Sequence, residues 1–127
     1  MNRMTSEWVA KAEGDWATLQ RESQVLDNPN YDGNCFHAQQ CAEKYLKARL
    51  SEAGISFGKV HDLVTLLEQV LGIEPEWERF TEDLAYLSGF AVGFRYPGDS
   101  ADGDTAMEAG QRCERFRRAA RTALKLE

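Results

Sequence analysis

Apolar residues recur along this chain in alternating steps of three and four, the spacing of one helical face, and no stretch shows the strict alternation of a half-buried strand. The pattern predicts five helices. The first spans about Thr5 to Leu26, with Val9, Ala12, Trp16, Leu19 and Leu26 on one stripe, Thr5 or Ser6 as N-cap and Asp27-Asn28-Pro29-Asn30 as its stop. The second spans about Asp32 to Ala53, buries Phe36, Ala38, Cys41, Ala42, Tyr45, Leu46 and Leu50, and ends before Gly54, where a left-handed cap belongs. A short third, Asp62 to Leu71, is dense in Leu and Val, with Asp62 as N-cap. The fourth follows Pro75 and carries Trp77, Phe80, Leu84, Leu87, Ala91 and Phe94. The fifth opens at Asp104 or Thr105, with Thr105 and Glu108 as a capping box, and its stripe is Ala106, Ala109, Cys113, Phe116, Ala120 and Ala123.

Steps averaging about 3.5 residues favour nearly antiparallel packing, so the reading is all-α, an antiparallel up-and-down helical bundle. At 127 residues the chain supplies one core, and residues 1–127 are read as a single domain. The longest polar, turn-rich stretch, residues 95–103, separates the last two helices and is the loop most suited to carry function. No apolar run reaches membrane-spanning length and the start lacks the apolar stretch of a signal peptide, so a cytoplasmic location without membrane contact is expected. Cys35, Cys41 and Cys113 form no C-x-x-C pair and read as buried thiols. The net charge of −6 argues against a dedicated duplex binder. Its distribution is more informative: residues 61–108 hold 2 Lys and Arg against 11 Asp and Glu, and residues 109–127 hold 6 against 2.

Candidate chemistry is sparse. His37 and Cys41, at i and i+4, could share an ion, but two ligands do not make a site, and Asp99, Asp102 and Asp104 are acids at a helix N-terminus, where the macrodipole favours them anyway. No metal is expected. No G-x-S-x-G, P-loop or dinucleotide fingerprint is present, so no cofactor is expected either. Gln40 and Lys44 fall one turn apart on the second helix, with Lys47 a turn further. The row Gln39, Gln40, Glu43, Lys44 reads either as a solvated face or as a ligand-binding one. Arg95 and Tyr96 suit a phosphate and a stacked base; the alternative is an arginine bonding the last helical carbonyls and a tyrosine that simply packs. The arginines of the fifth helix could add a basic track for RNA, although Glu114 is placed to neutralise part of that face.

Three blocks together carry a resemblance: residues 35–48, reading CFHAQQCAEKYLKA, then His61-Asp62-Leu63, then Phe94-Arg95-Tyr96-Pro97-Gly98. In that order and spacing they resemble the signature blocks of prokaryotic HEPN domains, and Trp8, Ala12, Asp15 and Trp16 are similar to the family's first helix. The resemblance implies a bundle of four core helices plus one additional helix, often a homodimer. It further implies nucleotide or RNA binding and partnership with a small nucleotidyltransferase in toxin–antitoxin pairs. Many members are metal-independent ribonucleases that use an arginine followed four to six residues later by a histidine, the histidine as acid or base and the arginine on phosphate. After Arg95 that window contains no histidine. Arg95 therefore carries over as a phosphate contact and the histidine does not.

The reading is a nucleotide- or RNA-binding module using Gln40, Lys44, Lys47, Arg95 and Tyr96, paired with a nucleotidyltransferase and forming a homodimer. The alternatives are a ribonuclease combining Arg95 with His37 or His61, and a purely structural interaction partner.

Overall fold

The computed structural model describes residues 1–94 and 96–126. Among these residues there are five α-helices and no strand: α1 Arg3–Glu22, α2 Tyr31–Glu52, α3 Leu63–Val70, α4 Thr81–Ser88 and α5 Gly103–Ala123. Two 3-10 segments, Pro75–Phe80 and Gly89–Ala91, flank α4.

Helix α2 is the axis of the fold. It packs against α1, α5, α3 and α4 in turn, and twelve of its residues are buried. A surface helix needs one apolar stripe; one enclosed on several sides is buried around most of its circumference. Ala38, Cys41, Ala42 and Ala48 keep α2 slim where neighbours approach, and Tyr45, Leu46 and Leu50 fill the space between them. The predicted stripes of α1, α4 and α5 all turn inward, except that Leu26 lies beyond the end of α1 and is exposed. Phe36, placed on the buried face by its spacing, is instead largely exposed, since it lies on the arc of α2 left open to solvent.

The caps correct the expected boundaries. Asn2, rather than Thr5 or Ser6, caps α1: its side chain accepts from the Thr5 backbone at 2.8 Å, and the Thr5 hydroxyl bonds it at 2.9 Å. Asn30 caps α2 by accepting from the Gly33 amide at 2.9 Å, and the Asn30 side chain occupies the space that a Cβ on residue 33 would need. Asp62 caps α3 as expected. At α5 the cap is Asp102, accepting from the Thr105 amide at 2.8 Å; Glu108 does not close a capping box but bonds Arg112 at 2.7 Å. The expected fourth helix keeps its stripe but not its regularity, splitting into the 3-10 and α segments above. It stops short of Phe94 because the chain tightens at Gly93, whose backbone passes so near the Gly89 carbonyl that a Cβ would sit 3.0 Å from it, and Phe94 itself takes a positive φ.

Two clusters lock α5 into the bundle. Phe116 receives the edges of Trp77 and Phe80, with centroids at 5.1 and 5.4 Å. At the next residue, Arg117 grips Glu13 of α1 with two bonds of 2.8 and 2.7 Å while stacking on Trp16 at 4.6 Å. Glu13 also accepts from the Tyr45 hydroxyl, which Arg121 bonds at 3.0 Å. Burial alone would push the Glu13 carboxyl up, but the bonds from Arg117 and Tyr45 outweigh it and hold it below the ordinary value. Truncating Phe116 to alanine removes the ring at the centre of the aromatic cluster and should cost about 3–5 kcal/mol, read as a lower urea midpoint at unchanged slope.

Candidate functional site

The polar row of α2 is not a solvated face. Gln39 and Glu43 are buried, and each polar side chain of the row meets a partner. On the α1 side, Asp15 accepts from Lys44 Nζ at 2.5 Å and lies 2.7 Å from His37 Nδ1. Asp15 occupies a position on α1 between the buried Ala12 and Leu19, so its carboxylate is nearly enclosed. His37 and Lys44 keep 29% and 20% of their side chains exposed. With Nδ1 committed to Asp15, Nε2 of His37 is the nitrogen left to an incoming group.

Beside it a second set centres on Glu43. Its carboxylate takes Lys47 Nζ at 2.9 Å, His61 Nδ1 at 3.0 Å and Gln39 Nε2 at 2.9 Å. Gln40 joins this set by donating to Gln39 Oε1 at 2.6 Å. Burial pushes the Glu43 carboxyl up, yet the hydrogen bonds from His61, Lys47 and Gln39 prevail and hold it below its ordinary value. A chain of contacts thus runs from His61 through Glu43 and Gln39 to Gln40, which lies on the turn between His37 and Lys44.

The expected residues divide accordingly. His37, Gln40 and Lys44 are brought together, half-buried, on one arc of α2. Lys47 sits apart from them: only 6% of its side chain is exposed, and its ammonium is roofed by Trp8 and Phe57 with ring centroids at 5.3 and 5.6 Å. It lies a turn beyond Lys44, where the N-terminal part of α1 and the segment before α3 close over α2, so it supports Glu43 instead of reaching solvent. His61 precedes α3 and is 67% exposed, joined to the set through Glu43 alone. Arg95 lies outside the described residues. Tyr96 is 72% exposed, in a loop that leaves the Gly89–Ala91 segment packed on α2 and returns where the Ala101 amide donates to Asp32, in the first turn of α2, at 2.7 Å.

The basic track expected on α5 is not available as drawn. Arg112 and Arg115 bond Asp83, Arg117 and Arg121 pair with Glu13, and Arg118 bonds Glu114, so these arginines hold the bundle's own carboxylates. Cys41 is fully buried beside Cys113, and its thiol is pushed well up by the hydrogen bond between them and by burial, whereas His37 faces Asp15. Among the described residues no cluster of three or more His, Cys, Asp or Glu could hold a metal, and no helix is long and apolar enough to cross a membrane. Asp15 and Glu43 are the pivots that spacing alone did not single out as site residues. Asp15 carried one readable signal, a carboxylate on an otherwise apolar stripe.

The lowered Glu43 pKa sets the sign of a pH effect. A carboxyl depressed in the fold stabilises it fully above the unfolded value, about 4.3, and the contribution is lost as pH falls through the lower folded value. The urea midpoint should therefore drop between about pH 5 and pH 3. In Glu43→Gln the drop should be shallower but not abolished, because Glu13 is depressed in the same direction.

The sequence matches the family model of the HEPN domain over residues 5–123. No curated protein and no solved structure matches it. The matched span takes in all of α2, both carboxylate pivots and nearly the whole of the bundle, and the chain belongs to the HEPN domain family.

Proposed function

We propose that the open arc of α2 binds the phosphate-bearing part of a nucleotide or RNA, with His37, Gln40 and Lys44 as contacts from the helix and Arg95 and Tyr96 as contacts from the loop anchored beside it. The observation that carries this reading is the double use of Asp15. One enclosed carboxylate fixes an imidazole and an ammonium two turns apart on the same face of α2 while both keep an exposed edge. Two donors preset in this way lose little freedom on meeting a phosphate, and an ammonium with an amide beside it suits an anionic oxygen. Tyr96 offers an exposed ring of the kind on which a base stacks. The arginines of α5 are spent on internal carboxylates, so the ligand is a short or locally held one and not a duplex tracked along a basic helix. Membership of the HEPN family supports the nucleotide class. The same reading makes the protein a cytoplasmic homodimer that works with a nucleotidyltransferase in a toxin–antitoxin-like pair.

A second reading, metal-independent RNA cleavage, is favoured by one feature. An imidazole whose Nδ1 faces a carboxylate and whose Nε2 is left for substrate is the arrangement of a general base, and His37 has it without the histidine missing after Arg95.

Thermal unfolding with millimolar ATP, GTP, AMP or a short single-stranded RNA tests both. A ligand at a hundred times its Kd adds about 2.7 kcal/mol, several degrees for a domain this size. The shift should be lost in Lys44→Ala and in Arg95→Ala. No shift with any of these ligands overturns the binding reading, and cleavage of the RNA by wild type but not by His37→Ala would replace it with the enzymatic one.

A further inference from the structure

Phe36, Gln40 and Lys44 recur every four residues along α2, so they form a row on its open arc, successive members about 6 Å apart along the axis. Phe36 is 40% exposed and meets His37 edge-on, with centroids at 5.4 Å. A lone exposed ring is ordinary on a protein surface. This one ends a row whose other members are an amide and an ammonium. It also lies one turn from Asp32, where the Ala101 amide ties back the loop that carries Tyr96.

What the amide of Gln40 presents is fixed from inside the bundle. Glu43 is a carboxylate that already takes the Lys47 ammonium, and a carboxylate only accepts, so the group that Gln39 turns to it is the amide nitrogen. That leaves Gln39 Oε1 as a buried acceptor, and Gln40 meets it with its own nitrogen at 2.6 Å. Turning either amide over would set two acceptors face to face beside a fully buried side chain. One N–H of Gln40 is thereby committed. Its carbonyl oxygen accepts from no described residue and is not closed off from solvent. The arc therefore presents an acceptor of fixed identity together with the second N–H of the same amide. An ionised phosphate has no proton for such an acceptor, whereas a base with an exocyclic amino group does.

We propose that Gln40 reads the base of the bound nucleotide and selects adenine: Oε1 accepts from the exocyclic amino group, the free N–H donates to the neighbouring ring nitrogen, and Phe36 stacks on the ring. This rests on the reading of the α2 arc as a phosphate site, in which Lys44 and His37 hold the phosphate while Gln40 meets the base edge. The donor and acceptor of one amide complement the amino group and N7 of adenine. Cytosine offers a similar pair on a smaller ring, with less area to stack on Phe36. Hypoxanthine carries a keto oxygen in place of the amino group, so it turns an acceptor towards Gln40 Oε1 and is rejected.

Titration calorimetry of the full chain with AMP and with IMP, whose purines differ at that group and at the ring nitrogen next to it, tests the assignment. AMP should bind about ten- to a hundredfold tighter. Gln40→Lys keeps a donor for Gln39 but has no acceptor, and Gln40→Met has neither group; the preference should disappear or reverse in the first and disappear in the second. Lys44→Ala should weaken both nucleotides and leave their ratio unchanged, and Phe36→Ala should weaken both about tenfold or more. Equal affinities in wild type, or a preference for AMP that survives both Gln40 variants, overturns the assignment and leaves the phosphate site standing. Binding of neither nucleotide overturns both.

Discussion

Enclosing α2 is the constraint on which the rest of this structure depends. A helix sheathed by four others has little solvent to offer its polar side chains, yet the sequence places Gln39, Gln40, Glu43, Lys44 and Lys47 on it. Unpaired, each would cost desolvation energy comparable to a substantial part of the domain's net stability. Every one finds a partner, some along α2 itself, where Gln39 and Lys47 meet Glu43 and Gln40 meets Gln39, and some from other elements: Asp15 from α1, His61 from the segment before α3, and Trp8 and Phe57 as rings around the Lys47 ammonium. Polar pairing across elements fixes the rotation of α2 about its own axis more tightly than apolar contact could, since a shift of one residue would strand a buried charge.

The same constraint accounts for α5. Glu13 is drawn inward by the packing of α1 on α2, and Arg117 and Arg121 must reach it. Asp83 takes Arg112 and Arg115 in the same way. A helix that reads as strongly basic in one dimension thus supplies counter-charges for acids on α1 and α4 as well as for its own Glu108 and Glu114. From the acidic middle of the sequence Asp83 and Glu108 meet Arg112 and Arg115, while the other counter-charges come from Glu13 on α1 and Glu114 on α5 itself.

These contacts explain what the sequence could and could not convey. Apolar spacing located α1, α2, α3 and α5 and identified the inward residues of the fourth segment, because burial has a period that can be read locally. It missed the break after Ser88, since a tight approach of the Gly93 backbone to the Gly89 carbonyl is a tertiary outcome. It also missed the N-caps at Asn2 and Asp102, where the stripe begins a turn later than the helix. The row on α2 could be read as ligand-binding residues, but not what holds it, because Asp15 lies 22 and 29 positions from the two side chains it fixes. Lys47 and Lys44 are indistinguishable by type and nearly so by spacing; only the position of Trp8 and Phe57 over one of them separates a structural ion pair from an accessible cation.

The departure from the ribonuclease form of the family can be weighed in the same physical terms. A histidine placed after Arg95 would act from a loop, free to approach substrate and equally free to leave it. His37 instead rises from the most enclosed helix of the fold, and its Nδ1 is held by a carboxylate that Lys44 also holds. Such a ring is well oriented but poorly able to move, and its ammonium neighbour competes for the same substrate oxygens. Fixed orientation beside a fixed cation suits holding a phosphate, and the same Asp15 contact would orient His37 if it acted on a proton. The rigidity that α2 imposes on its polar residues therefore serves recognition at this arc, with Asp15 deciding the position of both donors.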